Sequence, residues 1–134
     1  MTSIITIEGI GEKYAAQLKG AGVSTVEKLL QAGATPKGRK ELVEKTGISD
    51  KLILEWVNHA DLFRIKGVGE EYSDLLEEAG VDTVVELAQR NAANLYQALM
   101  KANQAKKLVR QPPTEKMIAA WIEQAKSLPR VVSY

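Results

Sequence analysis

The sequence predicts an all-α fold of about eight short helices, built as two tandem copies of one helical unit and without a sheet. Three observations predict it. Apolar residues recur at intervals of three and four, the spacing of a helix face that packs on a core. No segment sustains the alternation of apolar and polar residues that is typical of a half-buried strand. The first half of the chain also recurs in the second half.

The duplication is the strongest of these signals. Residues 7–32 align with residues 65–90, and 13 of the 26 positions are identical, where chance gives about two. A second block aligns residues 49–63 with residues 114–128, and seven extra residues separate the blocks in the second copy. We therefore expect two repeats, 1–63 and 64–134. Since about 60 residues alone bury only a marginal core, the two repeats are expected to share one core.

Capping residues and glycines predict where the helices begin and end. Ser49 and Thr114 stand where an N-cap hydroxyl accepts a bond from the first free backbone N–H groups. Ser24 with Glu27 matches a capping box, and Thr35 precedes a proline suited to the first helical position. Glycines fall where four helices should stop, at Gly22, Gly33, Gly47 and Gly80. The expected helices span 12–20, 24–32, 36–46, 49–63, 70–79, 83–90, 92–108 and 114–127.

Composition excludes several classes of protein. The chain has 134 residues, of which 45% are apolar and 26% charged, a balance typical of globular proteins. It has no cysteine and a single histidine, His59, which excludes a disulfide framework, a thiolate zinc site and a multi-histidine metal site. No apolar stretch approaches the roughly 20 residues that span a bilayer. No catalytic constellation can be assembled, so we expect no enzyme activity, no cofactor, no small-molecule substrate and no membrane partner.

Three further expectations concern single features. The first residues lack the positively charged and apolar regions of a secretory signal, which together with the absence of cysteine predicts a cytoplasmic location. Trp56 and Trp121 occupy equivalent positions of the two repeats, so we expect both to pack in the core. His59 is expected at the surface or partly buried.

Two glycine-rich segments each precede a predicted helix. Residues 7–11 read Ile-Glu-Gly-Ile-Gly (the first glycine hairpin), and residues 65–69 read Ile-Lys-Gly-Val-Gly (the second glycine hairpin). Glycine permits a positive φ and a close approach of other atoms to the backbone. Ile10 and Val68, between the glycines, should insert into the core. The pattern resembles the helix-hairpin-helix signature.

Nearly the whole chain resembles the bacterial family of helix-hairpin-helix-related proteins called domain of unknown function 4332. The residues that carry this resemblance are Thr-Pro-Lys-Gly-Arg-Lys-Glu-Leu at 35–42, Thr-Gly-Ile-Ser at 46–49 and the stretch from Trp56 through Gln89. The family implies a fold and no established activity. The wider helix-hairpin-helix class implies sequence-independent binding to the DNA backbone, in which hairpin N–H groups and the helix N-terminus bind a phosphate oxygen.

Charge distinguishes the two glycine hairpins. Glu12 and Lys13 follow the first, whereas the second is followed by a segment with seven acids and no base between Lys66 and Arg90. Such a segment repels phosphate, so the second hairpin is expected to be mainly structural. Basic residues concentrate instead in residues 101–116 and 37–51, and they would form a basic stripe if both copies lay on one face.

These observations favour a non-catalytic module that binds the nucleic-acid backbone without sequence preference, although the net charge is only +1. The alternative is a protein-interaction or scaffold module, in which acidic residues 70–86 dock on basic residues 101–116 of another copy. An exposed apolar patch would favour the protein partner. The C-terminal segment 128–134 is apolar enough to dock on the repeat or on a neighbour. The candidate nucleic-acid-binding residues are Gly9, Gly11, Lys13, Lys37, Arg39, Lys40, Lys66, Gly67, Gly69, Lys101, Lys106, Lys107 and Arg110.

Overall fold

The computed structural model describes residues 2–134, and these residues form two compact units. The first unit comprises the described residues up to Asp61 together with Val131–Tyr134, and the second comprises Leu62–Arg130. The predicted all-α fold is confirmed, because the described chain contains eight α-helices and no strand. They are α1 (Glu12–Gly20), α2 (Val26–Gly33), α3 (Pro36–Thr46), α4 (Asp50–Leu62), α5 (Glu70–Glu78), α6 (Val84–Ala88), α7 (Ala92–Lys106) and α8 (Glu115–Ser127). None of these helices is both long and apolar enough to cross a membrane.

The sequence-based helix boundaries agree with the structure to within two residues at every end. One element was missed, a 3-10 helix at Ile4–Thr6 whose Ile4 is fully buried. This segment is held by the loop before α2, because Ile4 N–H donates to the Ser24 carbonyl at 3.1 Å and Val26 N–H to the Thr2 carbonyl at 2.9 Å. A three-residue helix is too short to leave a periodic signal in the sequence.

Hydroxyl caps begin the helices where the sequence places Thr35, Ser49 and Thr114. The capping box predicted at Ser24 was wrong. Thr25 has the extended backbone of an N-cap, and its hydroxyl accepts from Lys28 N–H at 3.1 Å. Glu27 does not complete a box, since its carboxylate accepts the Thr2 N–H at 2.9 Å.

Helix α4 contributes Trp56 and Val57 to the core of the first unit. The Trp56 ring packs on the Tyr14 ring with 5.1 Å between centroids. Gly33, the last residue of α2, lies against Val57, and a β-carbon at position 33 would overlap the Val57 side chain. This contact explains why α2 ends in glycine at a position with ordinary helical geometry.

The core of the second unit gathers apolar side chains from all of its helices around Trp121. Helices α6 and α7 pack on α8, and α5 packs on α7. The Tyr72 and Trp121 rings repeat the tyrosine–tryptophan contact of the first unit, with 5.2 Å between centroids. Both tryptophans are therefore core residues, as the sequence predicts.

Residues Val131–Tyr134, which we call the tail, dock on the first unit. Val132 is buried, and Ser133 N–H donates to the Ala34 carbonyl at 2.8 Å. The Ser133 carbonyl accepts from Arg39 Nη2 at 2.8 Å, and the Tyr134 hydroxyl lies 3.2 Å from Asn58 Oδ1. The sequence predicts that this apolar segment docks on the repeat or on a neighbouring molecule, and in the structure it docks on the repeat.

The residue that follows helix α7 is a lysine in a backbone conformation that favours glycine. Lys107 has φ +52° and ψ +47°, and its N–H donates to the Asn103 carbonyl. A side chain in this left-handed region costs about 1–2 kcal/mol. We therefore expect Lys107→Gly to raise the free energy of unfolding by about 0.5–1 kcal/mol in urea titrations. Lys107→Ala, which removes the same charge but keeps the β-carbon, should give no gain; an equal gain would contradict the backbone explanation.

Candidate nucleic-acid interface

The first glycine hairpin is a tight turn that leads into α1. Gly9 has φ +93°, and Ile10 N–H donates to the Ile7 carbonyl at 3.1 Å. Ile10 is buried, so the prediction that it inserts into the core is confirmed. Gly9, Gly11 and Lys13 are exposed. The turn thus anchors itself by its apolar residues and presents its glycines to solvent.

The second glycine hairpin has the same geometry in the second unit. Gly67 has φ +94°, and the buried Val68 donates its N–H to the Ile65 carbonyl at 3.1 Å. One feature is specific to this hairpin. The Gln124 amide on α8 accepts from Lys66 N–H at 2.9 Å and donates to the Lys66 carbonyl at 3.3 Å. The sequence gives no signal for this role of Gln124, because the two ends of the contact are 58 residues apart.

We expect Gln124→Ala to loosen the second hairpin. The variant loses both hydrogen bonds to Lys66, each worth about 0.5–1.5 kcal/mol. Amide hydrogen exchange at Lys66 should therefore become faster in the native state, while exchange in the first hairpin stays unchanged. Glu123→Ala, at the exposed neighbouring position, is the control. Unchanged exchange at Lys66 in Gln124→Ala would show that the amide does not hold the hairpin.

The helices that follow the two hairpins differ from the other helices in the residue at their N-cap. In the described chain, the other six α-helices begin with a side-chain oxygen that accepts a first-turn N–H; these caps are Thr25, Thr35, Ser49, Thr83, Asn91 and Thr114. By contrast, α1 and α5 begin at Gly11 and Gly69, which offer no side-chain acceptor. The N–H groups of Gly11, Glu12 and Lys13 consequently pair with no acceptor in the described residues. They can serve an external acceptor.

A tryptophan lies directly beneath each hairpin. A β-carbon built on Gly9 would lie 3.3 Å from Trp56 Nε1, and one built on Gly67 would lie 3.2 Å from Trp121 Nε1. Two features favour glycine at this position of both hairpins. Its backbone has a positive φ, and its missing side chain leaves room for the indole.

The two hairpins differ in the charged residues of the helix that follows each of them, as the sequence indicates. Lys13 is exposed in the first turn of α1, beside the exposed Glu12. In the second unit Glu70 and Glu71 are exposed in the first turn of α5, and Lys66 is the exposed base. The first turn of α1 thus holds one acid and one base where the first turn of α5 holds two acids, so an anion is repelled less by the first turn of α1. Before the first glycine of each hairpin the order is reversed, with Glu8 in the first hairpin and Lys66 in the second.

The three basic candidates on α3 lie in different surroundings. Lys37 and Lys40 are exposed. Arg39 is only 8% exposed, and its guanidinium donates to the Gly33 carbonyl at 2.9 Å and to the Ser133 carbonyl at 2.8 Å. Burial lowers the pKa of Arg39, and the charge of Tyr134 opposes this shift; the group stays cationic near neutral pH. The structure thus uses Arg39 to hold the tail.

The basic segment of the second unit lies next to acids. Lys101, Lys106, Lys107 and Arg110 are all exposed, and Lys106 Nζ pairs with Glu78 Oε2 at 3.0 Å. Lys107 and Arg110 line one surface groove together with Glu71. The segment is also tied to α5, since the Tyr72 hydroxyl donates to the Gln111 carbonyl at 3.0 Å. This surface has mixed charge, which weakens its attraction for a polyanion.

His59 is 2% exposed, so the expectation of a surface or partly buried residue was wrong. It lies on α4 three residues after Trp56, and residues three apart share a helix face. The face that buries the tryptophan therefore buries the histidine as well. The three-residue spacing of Trp56 and His59 is visible in the sequence and already indicates a buried histidine.

The described residues form an all-helical protein in which two helices, α1 and α5, each follow an exposed glycine turn and begin at a glycine. The chain belongs to the family described as Domain of unknown function (DUF4332), whose sequence model matches residues 8–128. No solved structure significantly matches the chain.

Proposed function

We propose that this chain is a non-catalytic module of tandem helix-hairpin-helix type, which binds the nucleic-acid backbone without reading its sequence. The observation that carries the proposal is the pair of glycine-capped helices in a chain whose other helices are capped by side chains. Free first-turn N–H groups and the positive end of the helix dipole are a ready site for a phosphate oxygen. In the first unit Gly11, Glu12 and Lys13 supply these groups.

The charge distribution assigns the leading role to the first hairpin. Lys13 adds a cation in the first turn of α1, whereas Glu70 and Glu71 in the first turn of α5 repel phosphate and leave Lys66 as the one base of the second hairpin. Glu8 and Glu12 flank the first hairpin and are exposed, so we expect weak binding, with a Kd in about the micromolar range.

The surface supports a nucleic-acid ligand over a protein partner. Among residues 2–134, the exposed large hydrophobic side chains are Ile5 and Tyr134. A stable protein interface needs a contiguous apolar centre, and two such side chains do not supply one. The basic segment that could dock on the acidic helix of another copy already forms the Lys106–Glu78 ion pair within its own unit.

Fluorescence anisotropy with a labelled DNA duplex at about 50 and 200 mM salt tests the proposal. Affinity should fall steeply with salt and be equal for duplexes of unrelated sequence. Lys13→Glu should weaken binding about fivefold or more at the lower salt and reduce the salt slope by about one. Lys19→Glu is the matched control, because it makes the same charge change at the exposed last turn of the same helix.

The control variant should lose much less affinity than Lys13→Glu. Equal losses would point to net charge alone and against a site at the hairpin. No binding of any duplex at the lower salt would reject the proposal and leave protein interaction as the function to pursue by sizing and pull-down.

A further inference from the structure

The indole beneath the first glycine hairpin has an unused hydrogen-bond donor. Trp56 is 1% exposed, and its Nε1–H pairs with no acceptor in the described residues. A tryptophan N–H this deep in a protein usually finds a partner, since an unpaired buried donor is costly. The atom is not sealed from solvent. The Nε1–H of Trp56 is therefore an unpaired donor that keeps a small exposure.

Gly9 lies next to this donor. A β-carbon at this position would lie 3.3 Å from Trp56 Nε1, whereas the exposed glycine leaves the indole edge uncovered. The same arrangement occurs in the second unit, where Trp121 is 3% exposed and its unpaired Nε1–H lies under the exposed Gly67. The geometry is thus common to both repeats.

The groups at the first hairpin are donors. The indole N–H lies beneath Gly9, and the unpaired N–H groups of Gly11, Glu12 and Lys13 follow two to four residues later. Helix α1 is nine residues long, so its N-terminus carries the positive end of a full helix dipole. Several unpaired N–H donors in one short segment suit an anionic ligand with several oxygens, such as a phosphate.

We propose that the Nε1–H of Trp56 donates to an oxygen of the phosphate held by the first hairpin. This inference rests on the proposed function and deepens it. Trp56 is a ligand-binding residue as well as a core residue, and Gly9 is the window through which the phosphate reaches the indole. Trp121 has the same position, but the helix that follows its hairpin begins with Glu70 and Glu71 where α1 begins with Glu12 and Lys13, so we expect weaker phosphate binding there despite Lys66.

The protein contains two tryptophans, so its ¹H–¹⁵N spectrum has two indole signals, which Trp56→Phe assigns. Inorganic phosphate is added to the full chain at constant pH, with sodium chloride of equal ionic strength as the control. The Trp56 indole proton should shift downfield and saturate with phosphate only, and the Trp121 signal should move less. The Gly11 and Lys13 amides should move with the Trp56 indole.

A duplex titration separates the two proposals. Trp56→Phe should weaken duplex binding about tenfold, since the lost bond is to a charged acceptor, while Trp121→Phe should change it less than about twofold. Movement of the Gly11 and Lys13 amides without the Trp56 indole would overturn the role of Trp56 and leave the hairpin site standing. An unmoved set of hairpin amides, with either phosphate or duplex, would overturn both. The wild-type spectra decide the question even if a variant folds poorly.

Discussion

Trp56→Ala is expected to lower the free energy of unfolding by about 3–5 kcal/mol, the range found for truncating a buried tryptophan. The indole is 1% exposed, packs on the Tyr14 ring at 5.1 Å and supports the first glycine hairpin from below. Alanine would leave a cavity on both sides of the missing ring, against α1 and against Gly9. Urea unfolding followed by far-UV circular dichroism measures the loss.

Trp56→Phe is the matched control for this loss. Phenylalanine refills most of the cavity, so it should cost less than half as much as alanine. The tyrosine contact is retained by an aromatic ring, and the indole N–H is removed. A loss below about 1 kcal/mol for Trp56→Ala would contradict the packing of the first unit.

Arg39→Met is expected to lower the free energy of unfolding by about 2–3 kcal/mol and to release the tail. The guanidinium makes two charge-assisted hydrogen bonds to the carbonyls of Gly33 and Ser133, and such bonds are worth about 1.5–3 kcal/mol each before the cost of burying the charge. The Arg39 guanidinium also lies 5.9 Å from the centroid of the Tyr134 ring. Methionine keeps most of the side-chain volume and removes all of these contacts.

Two measurements test the prediction for Arg39→Met. Urea unfolding gives the change in stability, and amide exchange at Ser133, whose N–H bonds the Ala34 carbonyl at 2.8 Å, reports whether the tail has left. Lys40→Met is the control, since it removes an exposed charge one residue away and should cost less than about 0.5 kcal/mol. Equal losses for the two variants would contradict a structural role for the buried arginine.

Local signals in the sequence predict most of the fold. Thr35-Pro36, Ser49 and Thr114 mark helix starts, and Gly22, Gly47 and Gly80 have the positive φ that ends a helix. The prediction of a capping box at Ser24 was wrong because two adjacent residues with hydroxyls, Ser24 and Thr25, both suit an N-cap. The structure has the cap at Thr25, and the Ser24 carbonyl accepts from Ile4 N–H, a contact that joins residues 20 apart.

The candidate site is predicted less completely, because its geometry depends on distant contacts. Arg39 has the sequence context of an exposed base on α3, yet its carbonyl partner at Ser133 is 94 residues away. The pairing of Lys106 with Glu78 likewise depends on how α7 packs on α5. The glycines of the hairpins and the tryptophans are visible in the sequence, but the contact of each indole with its glycine is not.

The central claim is that free N–H groups of the first hairpin bind backbone phosphate. Backbone amide signals of the full chain, followed while a short DNA duplex is added, test it most directly. The claim predicts saturable shifts of Gly11, Glu12 and Lys13 that vanish at higher salt, while Gly38, whose N–H already bonds the Thr35 hydroxyl at 3.1 Å, stays in place. Shifts confined to residues 101–116, or no shifts at all, would contradict it.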